Sequence, residues 1–204
     1  MSPPGDLIVV GAGGHAKVVV ATARAAGLRV LSIADDARGR WGEQLLGVAI
    51  SGPTEPVLAD PHAQVVLAIG DNAARLRLAA TARCRFVSVV HPKAIIDPTV
   101  QLGPGSVVFA GAVIQPDTTI GAHAIVNTAA SIDHDCRLGE AVHVAPGTRL
   151  AGNVTLCDAV FLGIGVVVIP GITIGARTTV GAGAAVVTDL PPGVIAVGVP
   201  ARAR

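Results

Sequence analysis

The tripeptide Asp133-His134-Asp135 sets an imidazole between two carboxylates in a stretch that is otherwise apolar and glycine-rich. An ordinary histidine titrates near ~6.5, so its neutral form is available at cellular pH to take a proton from a reacting amine or hydroxyl. A carboxylate on the other ring nitrogen fixes the tautomer and supports the imidazolium that forms. On a regular strand, adjacent side chains point to opposite faces and neither aspartate reaches the ring; at a sharp corner that restriction lifts. Asp133 and Asp135 both remain open as partners on these grounds. His143 follows nine residues on, and Gly152 nine beyond that.

A second group lies near the start. "GAGGHA" (Gly11–Ala16) fits the G-x-G-x-x-G/A spacing, and Asp35-Asp36 come some twenty residues later. In such a loop, helix N-terminal amides hold phosphate and the acidic residue takes a ribose hydroxyl. Gly13 and Gly14 are candidate phosphate contacts, with His15 and Lys17 as added donors. Gly70, Asp71 and Asn72 end another strand-like run, and Asp71 reads equally well as a helix N-cap. Alone, the motif suggests NAD, but too few residues surround it for a full dinucleotide fold.

Two different periods define the elements that could position these groups. Strand-like runs at Leu7–Gly11, Arg29–Asp36, Ala63–Asn72 and Phe86–Val90 alternate with helix-like runs at His15–Gly27 and Ala73–Arg83. That alternation predicts a small parallel sheet built from βαβ units. After His91-Pro92 the period becomes six. Every sixth residue from Ile96 to Val186 is Ile, Leu or Val, sixteen times without a break, often with glycine next (Gly103, Gly121, Gly139, Gly163, Gly175, Gly181). Neither a helix nor an ordinary strand has that period; a solenoid stacking aliphatic residues inside flat-sided coils does. The expected division is 1–92 for a Rossmann-like domain and 93–204 for the solenoid.

Bulk properties exclude several classes. With a formal net charge of +1 and 2% aromatic residues, the 204-residue chain has neither the field nor the stacking platform for nucleic acid. The three cysteines, Cys84, Cys136 and Cys157, show no CxxC spacing and read as reduced thiols. The opening "MSPPGD" lacks the basic and apolar regions of a signal peptide, and no uninterrupted apolar stretch is long enough to span a membrane; a cytoplasmic protein is expected.

The runs "IGAHAIVN", "LGEAVHV", "LGIGVVV" and "IGARTTVGAGAAVVTDLPPGVIAVGVPA" resemble the hexapeptide-repeat acyltransferases. Adding "VVGAGGHAKVV", "ADD", "AIGDN", "HPKAIIDP", "NTAASIDHDC", "HVAPGTRLAGNV" and "GVPA", in that order, narrows the resemblance to the PglD/NeuD-like sugar-nucleotide N-acetyltransferases and sialic acid O-acetyltransferases. It implies a left-handed parallel β-helix, a homotrimer with sites at subunit interfaces, and acetyl-CoA as co-substrate with no metal. The implied reaction is N-acetylation of a nucleotide-linked 4-amino-4,6-dideoxy sugar in bacterial glycan biosynthesis, by direct attack on the thioester. His134 is then the general base, and the family's acidic residue after that histidine favours Asp135 as its partner. The resemblance places His143 and the backbone N–H of Gly152 at the acetyl donor and Asn127 at the acceptor. For His143 a core-capping role is the other reading, and for Asn127 a turn or ladder role. The nucleotide cleft then comprises Gly13, Gly14, His15, Asp35, Asp36, Gly70 and Asn72. O-acetylation of a sialic acid is the near rival; a non-catalytic sugar-nucleotide sensor and a zinc carbonic anhydrase-like protein using His123, His134 and His143 are more distant ones. His62, His91 and His123 receive no role in the leading reading.

Overall fold

The computed structural model describes residues 6–204. Of the stretch expected to carry no leader, Met1–Gly5 lies outside the described residues.

The first unit is a four-stranded parallel sheet. Its strands are β1 (Leu7–Val10), β2 (Val30–Ala34), β3 (Gln64–Leu67) and β4 (Arg85–Phe86), in the order β2-β1-β3-β4. Helices α1 (Gly14–Ala25), α2 (Thr54–Ala59) and α3 (Asn72–Thr81) connect them. A hairpin pairing Gln44–Leu45 with Val48–Ala49, and α2 itself, add to the expected elements. The hairpin turns on Leu46 and Gly47, both at positive φ, the conformation that two-residue hairpin loops use. The loop of Gly11–Gly13, the end of β2 and the end of β3 come together at the carboxyl edge of the sheet, where ligands of such sheets bind.

The second unit is the left-handed parallel β-helix that the resemblance implies. Its three sides are made of two-residue strands repeating every eighteen residues. Side A runs from Val89–Val90 through Val107–Val108, Ile125–Val126, His143–Val144, Phe161–Leu162 and Thr179–Val180 to Ile195–Val197. Side B runs from Ile95–Ile96 to Ala185–Val186, and side C from Gln101–Leu102 to Thr173–Ile174. Of the sixteen periodic aliphatics, all from Val108 onward are buried in one continuous core, with Ile96 and Leu102 packed against its open end. The residues four positions beyond the aliphatics are small or β-branched, and Ser106, Ala112, Thr118, Thr148 and Thr178 among them are buried as well. Their hydroxyls bond to carbonyls across the interior: Ser106 to Gly121, Thr118 to Asp133, Thr148 to Gly163 and Thr178 to Pro191, at 2.7–3.0 Å. Buried polar atoms are thus satisfied without leaving the coil.

Glycine after the aliphatic has a steric cause. A Cβ on Gly121 would lie 2.6 Å from the carbonyl carbon of Gly139 in the next coil.

The corners carry a second repeat that the aliphatic pattern does not announce. Fourteen residues at six-residue intervals, from Gly105 through Asp117, His123, Asp135, Ala141, Asn153 and Arg177 to Gly183, all have φ between +50° and +75°. They are the second central residues of the corners, which require the left-handed conformation. Eight of the fourteen are not glycine.

The stretch Phe86–Val90, expected to be one strand of the first sheet, is divided. Phe86 pairs with Val65, whereas Val89 and Val90 already pair with Val107 and Val108. The changeover therefore falls between Phe86 and Val89, a few residues before the expected boundary at 92. The two units share an apolar core: Val9, Ala16, Val19 and Val20 pack in one cluster with Val107, Phe109 and Ile125 of side A.

Candidate active site

His134 and Asp135 are the central residues of a corner between sides B and C. Asp135 is the left-handed residue, with φ +58°. That backbone reversal swings two adjacent side chains to the same side, and His134 Nδ1 lies 2.7 Å from Asp135 Oδ2. Asp133 instead accepts the backbone N–H of His134 at 2.8 Å, which assigns the ring's partner to Asp135. With Nδ1–H donating to the carboxylate, Nε2 presents its lone pair and carries no hydrogen bond among the described residues. The pair is 59% exposed on both sides. The Asp135 hydrogen bond raises the His134 pKa above its ordinary value, and the Asp133 charge acts in the same direction.

Gly152 sits one coil above. A Cβ there would come within 2.7 Å of His134 Cε1 and Nε2. Its φ is not in the left-handed region, so the backbone does not require glycine; the imidazole lying across it does.

His143 occupies a different setting, on side A where the first unit docks. It is buried, with Nδ1 3.4 Å from the Gly70 carbonyl and Nε2 3.3 Å from Asn127 Nδ2. Nδ1–H therefore donates to Gly70 and Nε2 accepts from Asn127, whose Oδ1 accepts the Thr128 N–H. Phe161 meets the His143 ring edge-on at 5.2 Å, and the His15 ring is 6.1 Å away. Burial first, then the charge of Arg75, lowers the pKa of both His143 and His15 to about 4. The core-capping reading of His143 thus describes its surroundings in the single chain. His15 Nε2 is buried and has no partner among the described residues.

Arg75 is the residue that sequence reasoning missed. It is 1% exposed and pairs with no carboxylate among the described residues. Its guanidinium donates to the carbonyls of His123, Ala141, Ile69 and Gly70 and to Asn72 Oδ1, at 2.7–3.1 Å. Asn72 Nδ2 in turn donates to the carbonyls of Ala159 and Val160. His123, Ala141 and Ala159 are left-handed corner residues of three successive coils, so the two side chains clamp α3 across a stack of corners. Burial lowers the Arg75 pKa to about 10, which leaves it charged at neutral pH. Asn72, expected to contact substrate, takes part in this clamp and also lines the cavity between α3 and Phe161.

The expected nucleotide residues do gather. Gly11–Gly14, His15, Asp35, Asp36, Thr54 and Gly70 line one cleft of about 380 Å³. Gly11 is required by the fold: its φ is +102°, and a Cβ would lie 3.0 Å from the Ala68 carbonyl oxygen. Gly13, the N-cap of α1, and Gly14 have ordinary φ and nothing within 4 Å of a Cβ, so they leave the first amides of α1 open to the cleft. Helix α1 starts there with no side-chain cap and no acid in its first turn, as an anion site requires. Asp35 accepts the N–H groups of Ala12 and Ala37, and Asp36 accepts the N–H and hydroxyl of Thr54. Both carboxylates thus brace the cleft. Asp71 is the N-cap of α3, accepting Ala74 N–H at 2.6 Å. A larger cavity of about 590 Å³ lies beyond Gly70, between α3 and Phe161, and contains none of the glycine loop.

Lys17 is exposed on α1. The three cysteines are free. No described helix is long and apolar enough to cross a membrane. His123 and His143 lie in the domain seam, whereas His134 stands on the edge opposite side A.

The PglD N-terminal domain family matches residues 6–82. Among proteins of curated function none matches the chain. PerB from Caulobacter crescentus, solved in complex with CoA and GDP-perosamine, is 46% identical with a TM-score of 0.91, covering 98% of this chain and 97% of that one. The acetyltransferase domain of PglB from Neisseria gonorrhoeae, in complex with acetyl coenzyme A, is 35% identical with a TM-score of 0.90, covering 98% of this chain and 100% of that one. WeeI from Acinetobacter baumannii is 27% identical with a TM-score of 0.86, covering 98% of this chain and 99% of that one.

Proposed function

The chain belongs to the PglD/NeuD-like group of acetyl-CoA-dependent sugar acetyltransferases, and on that premise we propose that it acetylates the amino group of a nucleotide-linked 4-amino-4,6-dideoxy sugar. GDP-perosamine, bound by the 46% identical PerB, is the first acceptor to try. The amine lone pair attacks the thioester carbonyl carbon of acetyl-CoA. His134 Nε2 takes the proton from nitrogen, the C–S bond breaks, and that proton passes to the CoA sulfur, which leaves as the thiol. Asp135 holds the imidazole in the tautomer that leaves Nε2 free.

One observation carries this reading. The His134–Asp135 pair lies on the edge opposite the face that the nucleotide-binding unit covers, so base and acceptor cleft of one chain face away from each other. A second copy that brings its His134 edge to the cleft resolves this, and a homotrimer closes the arrangement with three equivalent sites. Side B supports such packing: Ile95, Val167, Ile169 and Val187 are exposed on or beside it, an apolar surface that a monomer would leave wet. Acetyl-CoA then runs between neighbouring coils, with Gly152 beside its thioester.

Thiol release from acetyl-CoA, monitored with GDP- and UDP-linked 4-amino sugars and with free sialic acid, tests the reading. Turnover of the nucleotide-linked amines supports it. Turnover of sialic acid alone replaces it with O-acetylation, and no thiol release with any acceptor removes it.

A further inference from the structure

The segment just after β2 carries an element with no part in the chemistry above. Arg38–Arg40 form one turn of 3-10 helix, and Trp41 ends it. Trp41 is the one tryptophan of the chain and is 39% exposed. An exposed tryptophan on a short loop is commonly loose, but this one is held. Its Nε1 donates to the Asp35 carbonyl at 2.8 Å. Asp35 is itself bound through its carboxylate to Ala12 N–H in the glycine loop, at 2.7 Å. Arg40 closes the same unit from the other side, donating Nη1 to the Ala12 carbonyl and pairing through Nε with Glu43 at 3.0 Å. The indole is therefore fixed to the two loops that form the cleft. The Arg38 guanidinium lies 5.8 Å from the indole centroid and pairs with no carboxylate among the described residues.

In a cleft of this topology the phosphates lie at the N-terminus of α1, and the acidic end of β2 marks the ribose. Trp41 and Arg38, a few positions beyond that acid, do not line the cleft itself but stand at its rim, tied to Asp35, where a base extending past the ribose would arrive. We propose that Trp41 and Arg38 form the base-recognition shelf of this cleft, with Trp41 stacking the nucleobase and Arg38 selecting guanine. The inference rests on the reading of the cleft as a nucleoside-diphosphate site. Stacking on an indole is available to every base and is largest for purines. The choice among bases comes from the guanidinium. Guanine presents two acceptors side by side, O6 and N7, which a planar fork of N–H donors meets with both arms. Adenine offers an acceptor beside a donor, and uracil has no such pair on one edge, so each leaves one arm of the fork unmet.

With a single tryptophan and no tyrosine, the intrinsic fluorescence of the protein reports this residue alone. GDP and UDP are titrated into the full-length protein with fluorescence and calorimetry in parallel. The wild-type protein quenches on GDP and binds it at least ~10-fold more tightly than UDP, the scale of one bidentate base contact. Arg38→Ala, an exposed truncation that leaves the fluorophore, brings the two affinities within about threefold. Trp41→Ala weakens both nucleotides by ~10-fold in calorimetry, the scale of one lost stack, whereas Trp41→Phe stays near wild type. Equal binding of GDP and UDP with no quenching, or nucleotide affinities unmoved in both Trp41→Ala and Arg38→Ala, overturns the shelf while leaving the cleft intact. Absence of calorimetric binding by either nucleotide overturns the reading of the cleft itself.

Discussion

His134 and His143 are nine residues apart and hold the same tautomer, each donating from Nδ1 to an oxygen. Their environments drive them in opposite directions. His134 is exposed at a corner beside two carboxylates, and its pKa is raised. His143 is buried in a seam beside the Arg75 cation, and its pKa falls to about 4. The first environment favours the protonated ring and the second keeps the ring neutral. Proximity along a repeat thus says little about shared chemistry, because nine residues carry the chain from one edge of the prism to the opposite side.

The largest effect expected is on turnover. His134→Ala lowers kcat/KM by ~10²–10⁴, the range for losing a general base, with the coil intact because Ile132 and Leu138 hold it. Steady-state kinetics beside a circular dichroism melt separates the two. Gly152→Ala strikes the same corner from above: its methyl group needs the space of the His134 ring. A loss of roughly tenfold or more in kcat, with little change in nucleotide affinity, is the outcome that displaced imidazole geometry dictates.

Asp135→Asn sharpens the contrast through pH. A raised pKa keeps His134 protonated, and so inactive as a base, to a higher pH than an ordinary histidine. The acid limb of kcat/KM therefore sits above ~6.5 in the wild type and moves down toward that value in Asp135→Asn, with a smaller loss of rate than in His134→Ala. A limb that does not move would separate Asp135 from the base.

The seam answers acid through stability. His15 and His143 refuse protons in the folded chain down to about 4 that the unfolded chain binds from ~6.5, so stability falls as pH drops through that window. A melting temperature lower by ~5 °C or more at pH 4.5 than at pH 7, and a weaker dependence in His143→Asn, is expected from scanning calorimetry.

The sixteen-fold aliphatic repeat made the β-helix legible in the sequence, because each interior position admits one class of side chain. The corners were not legible. Eight of the fourteen left-handed residues are not glycine, and four of those, Ala129, Ala141, Ala159 and Arg177, are of types that announce no turn by themselves, so the corner period of six is not read off as the aliphatic one is. Asp135 is among the eight, and its role as partner of His134 came from a family resemblance and not from spacing. Gly13 and Gly14 stand out in the sequence by the G-x-G-x-x-G/A spacing, and in the fold neither φ nor neighbouring atoms require them. The clamp role of Asn72 was not legible, because Arg75, an ordinary helix residue in the sequence, becomes its buried partner only when three coil corners stack beside it.

The central claim is that the base of one copy serves the cleft of another. Co-expression of His134→Ala chains with Gly13→Val chains, under different tags, yields mixed trimers that can be purified. Each lesion alone cripples every site. If base and cleft belong to neighbouring copies, each mixed trimer contains one site with both intact, and activity returns to about one third of wild type. Purified mixed assemblies that stay as inactive as either parent would place both functions in the same chain and contradict the account.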